Sequence, residues 1–297
     1  MKKNILITGI NGFLGSHLAK NLKSTFEIIG LSNSNDNLFR LEEENFKIYS
    51  SKNDTLESIF LDNNNNIFAI IHTATVYKNI DDNVLPMFKT NIELPVNLSQ
   101  LAVKYKVELF INTDTFFNNK NYKYSYLKDY TLTKRHSLEW IKMLTNNSEC
   151  KLVNMKLFHV YGQGDSLNKF VPYLIQNIKK NIKELEMTLG EQTRDFIYIN
   201  DVVNAFYIVL NSCFKLSSFQ EFEIGSGKSY SIKEFANIIK TITKSKTDLK
   251  FGSLTYRKGE IMESQISNLD IHSLGWKPKY SLKKGLENYI LSEKNDV

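Results

Sequence analysis

The strongest constraint on this chain lies in its first twenty-two residues. An apolar run, Ile5-Leu6-Ile7, enters the turn Thr8-Gly9-Ile10-Asn11-Gly12-Phe13-Leu14-Gly15. A helical pattern follows from Ser16 to Leu22. The three glycines match the demands of a phosphate-binding turn. One permits the tight bend, one lets the backbone approach a pyrophosphate, and one lets helix and strand pack closely. The start of the helix offers N–H groups that no helical carbonyl uses. A glycine triplet alone is a weak signal, and a strand before it with a helix after it makes it specific. Thr8, Gly9, Asn11, Gly12, Phe13, Leu14 and Gly15 are therefore the expected cofactor contacts.

Further apolar runs repeat the pattern at Phe26 to Leu31, Phe68 to His72, Leu109 to Asn112 and Leu152 to Leu157. Helical spacing separates them, notably over Glu93 to Val103 and Tyr126 to Leu144. Continuous apolar strands with helices between them predict a parallel sheet covered on both faces. Right-handed crossovers make that an α/β, Rossmann-type, doubly wound sheet. Later segments are more mixed. Helices are expected near Val171 to Ile178, near Val202 to Leu210 and from Ser231, with a strand at Phe196 to Tyr198. This division suggests a dinucleotide-binding domain over 1–156 and a smaller C-terminal substrate-binding α/β region over 157–297, whose segments interleave with the sheet. Asp62 to Asn66 reads as a polar loop.

The net charge of +6 comes from scattered lysines rather than a basic block. It therefore favours a phosphate-bearing small ligand over nucleic acid. No apolar stretch reaches the ~18 residues of a membrane span, so the expectation is a soluble, cytoplasmic protein with no membrane partner. The two cysteines, Cys150 and Cys213, have neither disulfide-framework nor zinc spacing. No metal is expected.

The second strand bears on cofactor choice. An NAD site commonly ends that strand with an acid bonding the ribose. Here the strand ends Leu31-Ser32-Asn33-Ser34, and the first acid is Asp36. Ser32, Asn33 and Arg40 would suit a 2′-phosphate, which favours NADP(H), with NAD(H) as the alternative. Catalytic candidates follow. Tyr130 and Lys134 lie four residues apart, on one face of a helix. An adjacent ammonium is expected to lower the phenol's pKa and so equip Tyr130 as a general acid or base. Thr113 follows an apolar strand at the carboxyl edge of the sheet, where its hydroxyl would meet a substrate carbonyl.

These motifs stand in order with His72-Thr73-Ala74-Thr75, Asn91, Asn112-Thr113-Asp114 and His159-Val160-Tyr161-Gly162. Arg194-Asp195-Phe196, Ile224-Gly225-Ser226-Gly227, Arg257-Lys258-Gly259-Glu260 and Leu274-Gly275-Trp276 follow. The set, running from about Asn4 to Tyr289, resembles the extended short-chain dehydrogenase/reductases, the NAD-dependent epimerase/dehydratase family. Ile111 to Phe117, Thr133 to His136, Val153 to Lys156 and Gly190 to Phe196 resemble the CDP-abequose synthase type of nucleotide-4-keto-deoxyhexose reductase. The resemblance implies a nucleotide-diphosphate sugar as partner and Thr113, Tyr130 and Lys134 as the catalytic set. Thr73, Ala74, Thr75, Asn91, Tyr130 and Lys134 fall on its cofactor side. Thr75, Thr113, Asp114, Thr115, His159, Arg194 and Arg257 fall on its substrate side, the two arginines at the diphosphate. Phe116-Phe117-Asn118 and Gln163 depart from the family pattern, at positions that shape the sugar pocket.

Several reactions share this frame. Dehydration needs an acid–base pair beside the catalytic set, and the matching residues are Asp114 and Thr115. The expectation is NADPH-dependent reduction of the C4 keto group of a nucleotide-linked 4-keto-6-deoxyhexose or 3,6-dideoxyhexose. The alternatives are a 4-epimerase with tightly bound NAD and a non-catalytic dinucleotide sensor. Relatives suggest a homodimer through the Tyr130 helix, where Leu138, Ile141 and Leu144 would form the apolar stripe, although that stripe fits the core equally well.

Overall fold

The computed structural model describes residues 2–33, 37–77, 83–118, 127–267 and 269–292. Ser34 and Asp36, which bear on cofactor choice, and Tyr126 lie outside them. In chain order the strands are β1 (Asn4–Thr8), β2 (Glu27–Ser32), β3 (Lys47–Ser50), β4 (Ile67–His72), β5 (Leu109–Thr115), β6 (Lys151–Leu157), β7 (His159–Tyr161), β8 (Glu184–Met187), β9 (Thr193–Tyr198), β10 (Phe219–Ile224), β11 (Ser229–Ser231) and β12 (Asp248–Phe251). The helices are α1 (Phe13–Leu22), α2 (Leu56–Leu61), α3 (Leu85–Phe88), α4 (Leu94–Lys104), α5 (Lys128–Thr145), α6 (Phe170–Lys179), α7 (Ile199–Asn211), α8 (Ile232–Thr243) and α9 (Leu282–Ser292).

Seven strands form one sheet in the order β10-β6-β5-β4-β1-β2-β3, every neighbouring pair parallel. Such a sheet must be covered on both faces, and it is. On one face Leu6, Ile70, Phe110 and Leu152 pack under α2, α4 and α5 through Phe60, Leu98, Ala102, Leu138 and Ile141. On the other, Ile5, Ile71, Ile111 and Val153 pack under α1 and α7 through Leu18, Leu22, Val202, Phe206 and Val209. The strand order reverses beside β1, which opens a crevice at the carboxyl ends of β1 and β4. Strand β10, from beyond residue 157, completes the sheet beside β6. The two halves of the chain therefore share one sheet.

The C-terminal region adds two small sheets, β11-β9-β7 and β12-β8. Its anchor is Asp201 in the first turn of α7. This buried carboxylate accepts from Lys279 N at 2.9 Å and Tyr280 N at 3.0 Å, while Trp276 Nε1 donates to the Asp201 carbonyl at 3.1 Å. Helix α8 begins as its sequence suggests, with Ser231 and Glu234 forming a reciprocal capping box.

Between α3 and α4 the helix widens into a π turn, Lys89–Glu93. Pro95 explains it. Proline has no N–H for the Asn91 carbonyl four residues earlier, and its ring clashes with that carbonyl. The helix accommodates this by bonding Leu94 N to Lys89 O.

The proposed dimer stripe is corrected here. Leu138 is 7% and Ile141 0% exposed, because both pack onto the sheet. The apolar side chains that α5 turns outward are Leu132, Trp140 and Met143.

Asp201 joins α7 to the segment leading into α9. Asp201→Ala leaves two part-buried N–H groups without that acceptor. It should cost about 1–3 kcal/mol, read as a lower urea midpoint with an unchanged m-value.

Candidate active site

The glycine turn closes as its spacing predicts. Gly9 sits at φ +64° and donates to Leu31 O on β2 at 2.8 Å. A Cβ on Gly9 would lie 2.8 Å from Ala74 Cα, and one on Gly15 would lie 2.2 Å from Gly9 O. Backbone therefore fills the space that side chains would need. No side chain caps α1 at Gly12, so its first N–H groups face the crevice. This cradle fits a dinucleotide pyrophosphate.

Around the cradle, Thr8 and Thr73 lock β1 to the loop after β4. Thr73 Oγ1 donates to Thr8 O at 2.7 Å. The Thr8 hydroxyl accepts from Thr73 N and Ala74 N, both at 3.2 Å. Ser32 is half-buried at the end of β2 and Asn33 is exposed. Arg40 crosses the turn, donating to Asn11 O at 3.1 Å and to Gly164 O at 3.0 Å. The guanidinium expected at a 2′-phosphate clamps the turn in place.

Asn91, an expected cofactor contact, is a hydrogen-bonded tie in the structure. Its Oδ1 accepts from Thr75 Oγ1 at 3.2 Å and Val76 N at 2.8 Å. Its Nδ2 donates to Val76 O at 2.9 Å and Thr133 Oγ1 at 3.0 Å. The side chain is fully buried and all four of its bonding positions are used. It ties the loop after β4 to α5.

The catalytic candidates converge. Lys134 is 2% exposed and donates to Thr113 O at 3.0 Å. Burial lowers its ammonium to about 8, partly opposed by Asp114. The Thr113 hydroxyl donates to His72 O at 2.8 Å. Tyr130 lies against Tyr77, ring centres 5.0 Å apart. Its pKa is corrected in sign. Burial, then Asp114 and Tyr77, push it upward, and hydrogen bonds with Thr115 and Thr75 only partly oppose this. In a dry pocket desolvation of a phenolate outweighs a nearby ammonium. Tyr130 therefore rests as a phenol.

Asp114 is a hub that sequence reading placed but did not connect. It accepts from Thr115 N at 2.7 Å, Asn118 Nδ2 at 2.7 Å and Asn154 Nδ2 at 3.0 Å. The overlooked member is Asn154. Its signal was a polar residue inside the otherwise apolar run of β6, in register with Asn112 on β5.

The substrate side is aromatic. Phe116 lies tilted against His159, centres 4.3 Å apart, and His159 meets Phe196 at 5.8 Å. Burial, then Arg194, hold His159 neutral. Arg194 is buried. It donates to Ile261 O at 2.6 Å and Thr193 O at 2.8 Å and forms an ion pair with Glu260. Its acidic partner is Glu260. A phosphate at Arg194 would compete with Glu260 for the guanidinium. Arg257 is exposed three residues before it. No group of three or more metal-ligating side chains occurs among the described residues.

The sequence pattern of the NAD dependent epimerase/dehydratase family matches residues 5–225. The chain is 33% identical to CDP-abequose synthase of Salmonella typhimurium over 98% of both chains. It is 34% identical to CDP-abequose synthase of Salmonella muenchen, again over 98% of both. Its fold superposes on UDP-glucuronic acid 4-epimerase from Bacillus cereus in complex with UDP-glucuronic acid and NAD. That match has a TM-score of 0.83 and 22% identity, and covers 99% of this chain and 100% of the other.

Lysine burial has a measurable sign. An unfolded chain holds the Lys134 proton to about 10.4, whereas the folded ligand-free protein releases it at about 8. Between those values the unfolded state binds more protons, so stability rises with pH. Below about 8 the burial penalty is fully present. Urea unfolding of wild type and Lys134→Met across this window should show the difference shifting in favour of wild type as pH rises. A difference independent of pH would contradict the assignment.

Proposed function

Because the chain belongs to the NAD-dependent epimerase/dehydratase family, we propose that it reduces the C4 keto group of a nucleotide-linked 4-keto-6-deoxyhexose, using NADPH. The observation that carries this reading is Tyr130, buried at the carboxyl ends of β4 and β5, where burial favours the neutral phenol. It lies by an acid, Asp114, whose neighbour Thr115 is not a second carboxylate or lysine. Reduction needs one proton donor, whereas dehydration needs a further acid–base pair. The similarity to CDP-abequose synthases supports a deoxysugar substrate.

A bound reduced nicotinamide would supply the hydride to C4. The chain's own residues handle the proton and the charge. Tyr130 gives its phenolic proton to O4 as the carbonyl electron pair moves there. The Lys134 ammonium stabilises the phenolate left behind. Thr113, by rotating off His72 O, bonds the same oxygen. Arg257, with Arg194 once Glu260 gives way, suits the nucleotide diphosphate, since a guanidinium fork pairs bidentately with phosphate oxygens. His159 and Phe116 flank the sugar. Ser32, Asn33 and Arg40 favour NADPH, because the described residues among 32–41 hold no carboxylate.

A 4-epimerase is the second reading, supported by the fold shared with a 4-epimerase holding NAD. A substrate panel separates them. Nucleotide-4-keto-6-deoxyhexoses should oxidise NADPH faster than NADH, and Tyr130→Phe should lower turnover roughly a hundredfold to ten-thousandfold. Interconversion of two unmodified nucleotide sugars, with no consumption of reduced cofactor, would establish the epimerase instead.

Self-association follows from the same helix. Leu132, Trp140 and Met143 are 46%, 50% and 58% exposed on α5, and Leu85 and Phe88 are 60% and 50% exposed on α3. Such a grouping of large apolar side chains suits a homodimer face. Light scattering should give twice the chain mass, and Trp140→Glu should return a monomer. A wild-type monomer at assay concentration would sink the idea.

A further inference from the structure

Across the carboxyl end of the sheet runs a row of polar side chains in an otherwise apolar interior. Thr8, His72, Asn112 and Asn154 are all 1% exposed or less. They are register partners on adjacent strands β1, β4, β5 and β6, and Glu221 continues the row on β10. Register partners in a parallel sheet point to the same face, and neighbouring strands lie about 4.8 Å apart. The five side chains therefore form one line, on the face covered by α4 and α5.

The direction of every hydrogen bond in this line can be worked out. The Thr8 hydroxyl already accepts two N–H groups, so it donates its own proton to His72 Nδ1, 2.9 Å away. His72 then carries its proton on Nε2. At the other end, Asn154 Nδ2 faces two carboxylates, Asp114 Oδ2 at 3.0 Å and Glu221 Oε2 at 2.8 Å. Only an NH2 group can face both, so Asn154 Oδ1 must accept. It accepts from Asn112 Nδ2 at 2.7 Å. Asn112 Oδ1 is thereby turned back toward His72. His72 Nε2 and Asn112 Oδ1 are both buried without a protein partner among the described residues. One is a donor and the other an acceptor, on neighbouring strands.

We propose that one ordered water molecule binds between His72 and Asn112 and completes a one-way hydrogen-bond row that fixes Asp114 beside Tyr130. Asn112 and Asn154 are then positioning residues for the proton-donating tyrosine. All donors in the row point from the cofactor turn toward the two carboxylates, and such chains strengthen cooperatively. A water with two complementary partners is what buried polar orphans of this kind bind. Glu221 holds its end as an anion. Burial opposes its charge, but bonds from Lys156 and Asn154 prevail and lower its pKa. His72 is held neutral by burial and by Lys134, the charged group facing it from α5. The role assigned to Asp114 rests on Tyr130 being the proton donor, whereas the water and the tautomer do not.

The test has two independent arms. In the first, the ligand-free wild-type protein is studied by high-resolution crystallography and by 15N NMR of the imidazoles. Expected are a water within hydrogen-bond reach of His72 Nε2 and Asn112 Oδ1, and a neutral Nε2–H tautomer at His72 from about pH 5.5 to 8.5, a window that brackets histidine's ordinary value. A direct His72–Asn112 bond, an Nδ1–H tautomer or a charged imidazole in that range would overturn the row. In the second arm, folded Asn154→Leu should shift the His72 15N resonances, although the two residues are separated by a strand. It should also lower kcat roughly tenfold with KM nearly unchanged. Unmoved resonances or wild-type kcat would overturn the positioning role. If Tyr130→Phe retained activity while the first arm succeeded, the catalytic reading would fall and the water row would stand.

Discussion

The close approach of backbone to backbone at Gly9 governs the rest of this molecule. One residue bonds its N–H to β2, lies under Ala74 from the end of β4, and presents its carbonyl to the start of α1. Three elements meet there with no side chain between them. The pinch sets the start of α1 beside the crevice and brings the loop after β4 within reach of α5. Asn91 completes that second connection, and Lys134 then reaches the Thr113 carbonyl. The pocket is built from a backbone pinch at Gly9 followed by side-chain ties from Asn91 and Lys134.

Burial decides the chemistry of this pocket more than proximity does. A tyrosine and a lysine one helical turn apart invite the expectation that the ammonium acidifies the phenol. Both groups are nearly excluded from water, and each shifts toward its neutral form. This suits a proton donor, because the phenol keeps its proton until negative charge develops at the oxygen it faces. Asp114, close by, works in the same direction on Tyr130.

Much of this was legible in the sequence. The central strands and α1, α5 and α7 announce themselves, because continuous apolar runs and helical spacing are what a doubly covered parallel sheet requires. The glycine turn and the set Thr113, Tyr130 and Lys134 were legible for the same reason, being local patterns on such elements. What escaped was long-range or weakly patterned. Strand β3 is short, and β10 reads Phe-Gln-Glu-Phe-Glu-Ile, an edge strand whose polar residues disguise it. The Glu260 partner of Arg194 lies 66 residues away, and nothing local predicts it. Leu138 and Ile141 show how a helical stripe tells of burial without telling what covers it. Asn91 was noticed as a residue, but its four bonds were not, since they depend on a loop and a helix that meet only in three dimensions.

The π turn at Lys89–Glu93 gives this helix an unusual grammar. A residue added within a helix turns everything on one side of it by about 100° relative to the other. With that offset present, Asn91 bonds the loop after β4, and Leu98 and Ala102 pack against the sheet. Replacing Pro95 would free the backbone to tighten, but a regular helix of the same length would have to swing either Asn91 or Leu98 out of place. The two halves are therefore tuned to different partners, and the extra residue between them is the joint that lets one rod serve a catalytic pocket at one end and a hydrophobic core at the other.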